Sequence, residues 1–441
     1  MLRVIALVVG MAVLVGTTLS VVATLVIPRR SRRLTFLLRR AALEAHNAAQ
    51  VSAGLAPDNL QLPSQGVLSS PIAPSRLAVV VWKLTRVVVS RRVALTIALA
   101  RRWRPGWSEH EKAAGRFDPN GRALRDYETR DRVLSSEGPI GLLLLLALWV
   151  LAYVLAYGLV LWGLDTGARF GHALYLSGSS ISTLGLVQPG AHHRALEEAT
   201  VLLAGGTGLA IFGLTIAYLP TIYGHYNRRE VLVRRLESVS ASPAWGVEIL
   251  WRMLDVSAIP AIGDFYAEWT AWSADVAESH TTYPWLLLFR SSDSFHSWLV
   301  ALVAVLDSAA IFLSTDSAQR PDVPQAKECL RTGFTALRSI APIFGIEHSW
   351  DPSVASDGHL LDPYRDEFMA SVAKLKEKGL AADMTAEEAW PHFQGWRVNY
   401  HVIATGLAAQ LIVPPAMWLG SAHPIRPLRP PHRRPTDAVG A

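Results

Sequence analysis

Charge is scarce in this chain of 441 residues. Only 18% are charged, against 51% apolar, and the mean hydropathy is +0.25. That balance is unusual for a soluble globular protein and directs attention to membrane spans. Cysteine is nearly absent: Cys329 stands alone, which excludes an internal disulfide framework and any cysteine-rich zinc or iron–sulfur site. There is no glycine-rich nucleotide loop, because no Lys-Ser/Thr follows the glycine cluster at 205–213, and no Ser/His/Asp set has motif spacing. Nothing in the sequence argues for catalysis or a bound cofactor. The net charge of +6 is unevenly spread. Residues 29–138 carry 20 Lys/Arg against 9 Asp/Glu, and residues 225–420 carry 15 against 23. Positive charge beside apolar runs points to apposition with anionic lipid rather than to nucleic acid.

Three stretches are charge-free for long enough to cross a bilayer: Val4–Ile27, Ile140–Gly163 and Ala199–Tyr223. At 1.5 Å per residue each reaches roughly 36 Å, enough for a hydrocarbon core of about 30 Å. Leu142 to Leu146 is an unbroken leucine run, and Trp162 is placed as an interface anchor. The first stretch reads as an anchor, with a cleaved signal as the alternative; it is long for a signal, and its basic cluster (Arg29, Arg30, Arg32, Arg33, Arg39, Arg40) follows it. The positive-inside rule then places the N-terminus outside. Arg122, Arg125, Arg130 and Arg132 before the second span, and Arg228, Arg229, Arg234 and Arg235 after the third, make a hairpin with both ends in the cytoplasm.

Between those two spans, Phe170–Ile181 (FGHALYLSGSSI) is short, uncharged and mostly apolar, as a re-entrant half-helix would be. Ser182–Gly190 (STLGLVQPG) reads as irregular backbone, which survives at membrane depth only when buried in protein or lining water. A half-helix followed by an extended segment suggests a pore loop, with the negative helix end directed at a cation.

Span, half-helix, T-x-G-x segment and span together resemble the two-transmembrane pore module of bacterial potassium channels. The resemblance is carried by Leu174-Tyr175-Leu176-Ser177-Gly178, by Ser182-Thr183-Leu184-Gly185-Leu186-Val187, and by Pro189 and Arg194. The whole chain is also similar to actinobacterial membrane proteins labelled as two-pore-domain potassium channel family members. That likeness rests on Tyr266-Ala267-Glu268-Trp269, on Ala277-Glu278-Ser279-His280-Thr281-Thr282-Tyr283-Pro284 and on Trp390-Pro391-His392-Phe393. The resemblance implies a selectivity filter at Thr183, Leu184, Gly185, Leu186 and Val187, lined by backbone carbonyls and the Thr183 hydroxyl. Potassium or a similar monovalent cation would be the permeant ion. The filter departs from the family pattern T-V-G-Y-G-D: Leu186 replaces the tyrosine, Val187 the second glycine and Gln188 the acid. One loop per chain cannot enclose a four-fold pore, so conduction implies a homotetramer. The alternative is a pore-like membrane scaffold or sensor that does not conduct and signals through its C-terminal half.

Glu197 and Glu198 open the third span at the expected pore mouth, where they raise local cation concentration or simply complement the helix dipole. Gly205, Gly206, Gly208 and Gly213 permit close helix packing or a gating hinge, and Pro220 permits a kink.

Residues 41–75 read as a linker, and Leu77–Trp103 as a basic helix lying in the inner interface or a plain solvated helix. Residues 229–420 read as a cytoplasmic α-helical domain holding 10 of the 15 tryptophans. Helices are expected near 223–238, 243–254, 262–279, 297–314, 326–344, 366–378 and 396–411. The apolar stretch Ser297–Leu313 is nearly a span, but Asp307 at its centre favours a buried core helix. Asp264, Glu268, Asp275 and Glu278 recur at helical spacing before His280, a pattern of a solvated face rather than a metal site. The +11 segment and the acidic half could dock on one another. Residues 421–441 are Pro-rich and basic, a disordered tail by composition.

The expected architecture is therefore an all-α protein of a bacterial inner membrane. It has an N-terminal anchor (1–28), a basic cytoplasmic linker (29–138), a pore module (139–228), a cytoplasmic helical domain (229–420) and a tail.

Overall fold

A computed structural model describes residues 2–21, 131, 134–164, 169–185, 195–240, 242–293, 295–315, 323–346, 360–380, 383–414 and 416–419. The linker at 41–75, the interfacial helix at 77–103, Leu186, Val187 and the tail lie outside them. Among the described residues the structure is helical without strands: α1 (Leu2–Val21), α2 (Glu137–Leu164), α3 (Phe170–Ile181), α4 (Ala195–Leu236), α5 (Gly246–Asp255), α6 (Ile262–Thr282), α7 (Trp298–Ser314), α8 (Val323–Ile340), α9 (Arg365–Glu377), α10 (Ala386–Arg397) and α11 (His401–Leu411). The chain divides into two compact units, residues 1–92 with 136–225, and residues 93–135 with 226–441.

In the first unit, α1, α2 and α4 are long and apolar enough to cross a membrane. Glycines set how closely they pack. A Cβ at Gly10 of α1 would lie 2.9 Å from the Ala156 carbonyl oxygen of α2, and one at Gly163 of α2 would lie 3.0 Å from the Arg3 carbonyl oxygen. Polar side chains then fix the register, since a hydroxyl or indole N–H in an apolar bundle must find a partner. Trp149 Nε1 donates to Ser20 Oγ (3.2 Å) and Tyr153 Oη to Thr18 Oγ1 (3.0 Å), while the Arg3 guanidinium stacks over Trp162. The N-terminal end of α1 thus meets the C-terminal end of α2, and the two helices are antiparallel.

The second unit is built around α7. Of its 17 residues, all but Leu313 are buried. Helices α5, α6, α8, α10 and α11 pack around it. The stretch that looked nearly like a span is therefore a central core helix, covered on every side by protein. Close approach of α5 requires a residue without a side chain: a Cβ at Gly246 would sit 2.6 Å from Ser308 N and 2.7 Å from the Ala304 carbonyl.

The C-terminal helices differ from the sequence expectation. A single helix over 396–411 is replaced by two, with Trp396 near the end of α10 and a break at 398–400 before α11. Pro391 lies inside α10 rather than ending it. The helix is nucleated by a capping box in which Thr385 Oγ1 accepts from the Glu388 N–H and Glu388 accepts from the Thr385 N–H.

Candidate functional site: the α3 exit and its seat on α4

Helix α3 has the bounds expected of the half-helix. Twelve residues rise about 18 Å, well short of a bilayer core of about 30 Å. It is fastened to α2 by Ser177 Oγ, which donates to the Val154 carbonyl (2.9 Å), by contact of Leu174 with Gly158, and by the edge of Trp162 against Phe170.

Its C-terminus ends in a Schellman arrangement. The Thr183 N–H donates to Ser180 O (3.0 Å) and the Leu184 N–H to Ser179 O (3.1 Å). Ser182 adds its N–H and its hydroxyl to Gly178 O. The geometry demands a left-handed residue after the cap, and Thr183 occupies it at φ +58°. A β-branched residue there is a marked exception, because its side chain crowds the following carbonyl. Gly185 follows at φ +61°, and a Cβ added to it would meet nothing within 4 Å. Replacing Thr183 with glycine is expected to keep the turn and to stabilise the fold by about 1 kcal/mol, read as a rise in melting temperature in detergent.

Two reversed residues on either side of Leu184 direct the backbone away from the helix axis, and the Leu184 side chain is exposed. The structure thus places Thr183, Leu184 and Gly185 together at the exit of α3; Leu186 and Val187 lie outside the described residues. The last carbonyls of α3 are largely taken by the chain's own N–H groups, which weakens the open negative end expected of the half-helix.

The glycine cluster of α4 splits by face. Gly208 is pressed against the end of α3: a Cβ there would fall 1.9 Å from the Ile181 carbonyl oxygen. Gly205 faces the Ser180 carbonyl at 3.6 Å from its virtual Cβ. Gly206 and Gly213 have open space beside them and are exposed. Tyr157 Oη, 2.7 Å from Thr207 Oγ1, ties α2 to the same stretch of α4. Pro220 lies within α4, which continues past it. Glu197 and Glu198 lie in the first turn of α4.

In the second unit the last turns of α4 are bound to one short segment after α6. Arg229 is fully buried. Its Nη1 donates to the Leu286 carbonyl (3.0 Å) and to His280 Nε2 (3.0 Å), and its Nη2 to the Phe289 carbonyl (2.7 Å). Arginine keeps its protons, so His280 Nε2 must accept, which makes His280 neutral with its proton on Nδ1, facing Ser279 Oγ. Tyr226 Oη donates to the Arg290 carbonyl, and the Arg290 side chain binds Asp131 and the Leu411 and Ile412 carbonyls at the end of α11. Asp131, ahead of α2, and Tyr226–Arg229, near the end of α4, therefore converge on residues 286–290. The sequence singled out Arg229 only as one of a basic cluster; its burial had no local signal.

The acids of α6 face those same basic turns. Glu268 pairs with Arg235 and Asp275 with Arg228 (3.6 Å). Among the described residues no group of three or more His, Cys, Asp or Glu is placed to hold a metal ion.

The core of this unit holds one further charged group. Asp307, at the centre of α7, is bound by Arg397 and receives the Tyr400 hydroxyl at 2.7 Å; Arg397 also donates to the Trp418 carbonyl. Beside them His401 is buried and its pKa is pushed down to about 4, first by desolvation and then by the positive charge of Arg397. The folded state therefore refuses a proton that the unfolded chain takes up near pH 6.5. Stability is complete above that value and falls as the pH drops from about 6.5 toward about 4, by on the order of 3 kcal/mol. Replacing His401 with phenylalanine is expected to flatten this acid limb of a pH series of denaturation midpoints.

No protein-family model matches the chain, and no curated protein or solved structure matches it. The likeness to potassium-channel pore modules rests on the residues quoted above.

Proposed function

We propose that the chain is a monovalent cation channel, potassium-like, that conducts through a homotetrameric pore in a bacterial inner membrane. The observation that carries this reading is the exit of α3. A helix too short to span lies between two long apolar helices and releases its chain through left-handed Thr183 and Gly185, beside the glycine face of α4. Backbone carbonyls turned out of a helix at membrane depth are the material of an ion filter, and they need a water-lined or protein-lined setting. The exposed face of α4, with Gly206 and Gly213 bare, offers a surface to neighbouring copies. In this reading Thr183 to Val187 form the filter and Glu197 and Glu198 stand at the mouth. The helical unit is cytoplasmic, the basic linker faces anionic lipid, and the N-terminus is outside. The antiparallel pairing of α1 with α2 supports that orientation, since the charge pattern puts the start of α1 and the end of α2 on one side.

A second reading, a non-conducting scaffold or sensor working through the helical unit, is favoured by the closed carbonyl end of α3. Potassium and sodium flux from liposomes separates the two. Flux from the wild type that Gly185→Asp abolishes supports a channel, and the ion ratio reports what a TLGLV sequence selects. Absence of flux from a folded tetramer leaves the scaffold.

A further inference from the structure

Helix α11 presents a face without charge to its surroundings. Its inner side, with Ile403, Ala404 and Leu407, is buried in the helical unit. The opposite side carries Val402, 41% exposed, half-buried Thr405 and exposed Ala409, spaced as one stripe along the helix, and Ile412 continues it past the last turn. The Thr405 hydroxyl is donated to the His401 carbonyl (2.8 Å), which lessens its demand for water. No Asp, Glu, Lys or Arg occurs between Arg397 and Arg426. Other outer helices of the unit differ: Glu268 of α6, Lys374 of α9 and Glu387 of α10 are exposed, as is ordinary for the outer face of a helix in water.

The end of this helix is tied to the segments that adjoin the apolar helices. Ile412 stands left-handed at φ +52° and closes α11, with the Val413 N–H donating to the Ala408 carbonyl (3.2 Å). Glycine or asparagine takes that position without the crowding that a β-branched side chain meets there. Leu411 and Val413 pack on the core, and Ile412 between them is half-buried. The Arg290 guanidinium holds the Leu411 and Ile412 carbonyls together with Asp131, and the Arg290 carbonyl accepts the Tyr226 hydroxyl (3.1 Å). Asp131 stands shortly before α2, and Tyr226 follows closely on Tyr223, where the charge-free stretch of α4 ends. At 1.5 Å per residue, Tyr226 is about 5 Å along the helix from that point. One residue thus gathers the end of α11 with the chain entering one apolar helix and the chain leaving another.

From this we infer that the outer face of α11 is a lipid contact: the helix lies along the bilayer surface, with Val402, Ala409 and Ile412 entering the headgroup layer. Segments that enter and leave membrane-crossing helices stand at the water boundary, and what Arg290 fastens to them stands there too. An uncharged stripe at that depth gains by burying apolar area among headgroups and acyl chains, where a charged face would keep to water. The same contact accounts for an isoleucine held in a crowded backbone conformation at the end of the stripe. Val256, after α5, is also apolar and exposed but stands singly, which is normal for a protein surface in water. The inference rests on α2 and α4 crossing a membrane and is independent of conduction.

Spin labels on single introduced cysteines test it, in the full chain in nanodiscs of phosphatidylcholine and phosphatidylglycerol. The native Cys329 is buried, and desolvation pushes its thiol up to about 12, so it does not take the label. Val402→Cys and Ala409→Cys probe the face. Val256→Cys is the water control, and Leu151→Cys, at an exposed position in the middle of α2, is the bilayer control. Collisions of each label with oxygen, which concentrates in lipid, are compared with collisions with a water-soluble nickel chelate. The oxygen-to-nickel ratio at 402 and 409 is expected to exceed that at 256 by roughly three- to tenfold and to stay below that at 151, as a shallow seat requires. A water-like ratio at 402 or 409 beside an immersed 151 overturns the lipid seat and leaves the membrane reading standing. Low collision rates with both probes at 402 and 409 would mean that protein covers the face, and overturn it equally. A water-like ratio at 151 removes the membrane reading and this inference with it.

Discussion

Gly208→Ala is expected to dislodge α3 from α4 and to abolish any activity that depends on the loop. The added methyl carbon would stand 1.9 Å from the Ile181 carbonyl oxygen, 2.7 Å from its carbon and 2.9 Å from its Cα. All three are backbone atoms near the end of a helix, so no rotamer change relieves the clash. Either α4 or the end of α3 must move by more than 1 Å. Overpacking of this kind costs about 1–3 kcal/mol where side chains can adjust, and the upper part of that range applies where only backbone can. Gly206→Ala is the matched control. It lies two residues away on the same helix, a Cβ there meets nothing within 4 Å, and alanine is the better helix former by about 1 kcal/mol. Thermal melts of the two variants in detergent should diverge in opposite directions from the wild type. In a liposome flux assay, Gly208→Ala should lose whatever the wild type conducts, since Thr183 and Gly185 follow directly from the displaced turn. Equal behaviour of the two variants would mean that α3 does not rest on α4 as described.

The contrast between these glycines marks how far the sequence could be read. The three long apolar helices and the short helix between two of them were legible because each is a local property: an absence of charge over a fixed length, and a short uncharged run ended by Ser182. The bounds Phe170–Ile181 follow from that alone. Asp307 likewise argued against a fourth span, because a carboxylate in an apolar helix needs a partner. Which glycines touch α3 was not legible, since Gly205, Gly206 and Gly208 differ only in the face they present. The partners of the acids at 264–278 were hidden for a related reason. Spacing shows that a face exists, and only the fold shows that Arg228 and Arg235 lie opposite Asp275 and Glu268. Helix α10 was not among the expected helices although Thr385 and Glu388 carry a capping-box pattern; the cap and the burial of Trp390 and Phe393 outweigh the helix-breaking tendency of Pro391. Arg397 had no signal at all, being 90 residues from the acid it neutralises.

That last pair carries the second large effect. Removing the charge partner by Arg397→Ala is expected to destabilise the helical unit by about 3–5 kcal/mol, because it leaves the Asp307 carboxylate buried and uncompensated. Burial already pushes Asp307 toward its neutral form, and the opposing pull of Arg397 and the Tyr400 hydroxyl is what the mutation weakens. The variant should therefore regain part of its loss in acid, where Asp307 takes up a proton. Asp307→Ala should be as damaging, since Arg397 would keep its charge with the Trp418 carbonyl and aromatic faces as its remaining partners. The double replacement Asp307→Leu with Arg397→Met removes both charges and restores apolar volume. It is expected to recover most of the stability, because an ion pair taken wholly out of water returns little more than the desolvation it demands. Urea midpoints followed by tryptophan fluorescence, with Trp418 in contact with Arg397, measure all four proteins. A double variant no better than the singles would show that the pair does something in the core that apolar packing does not. The candidate is then the position of Trp418, whose indole N–H reaches Glu367 at the start of α9 and whose carbonyl Arg397 holds. In that case the pair sets where residues 416–419 close over the core, and its loss should appear as exposure of α9 and α10 before the unit unfolds.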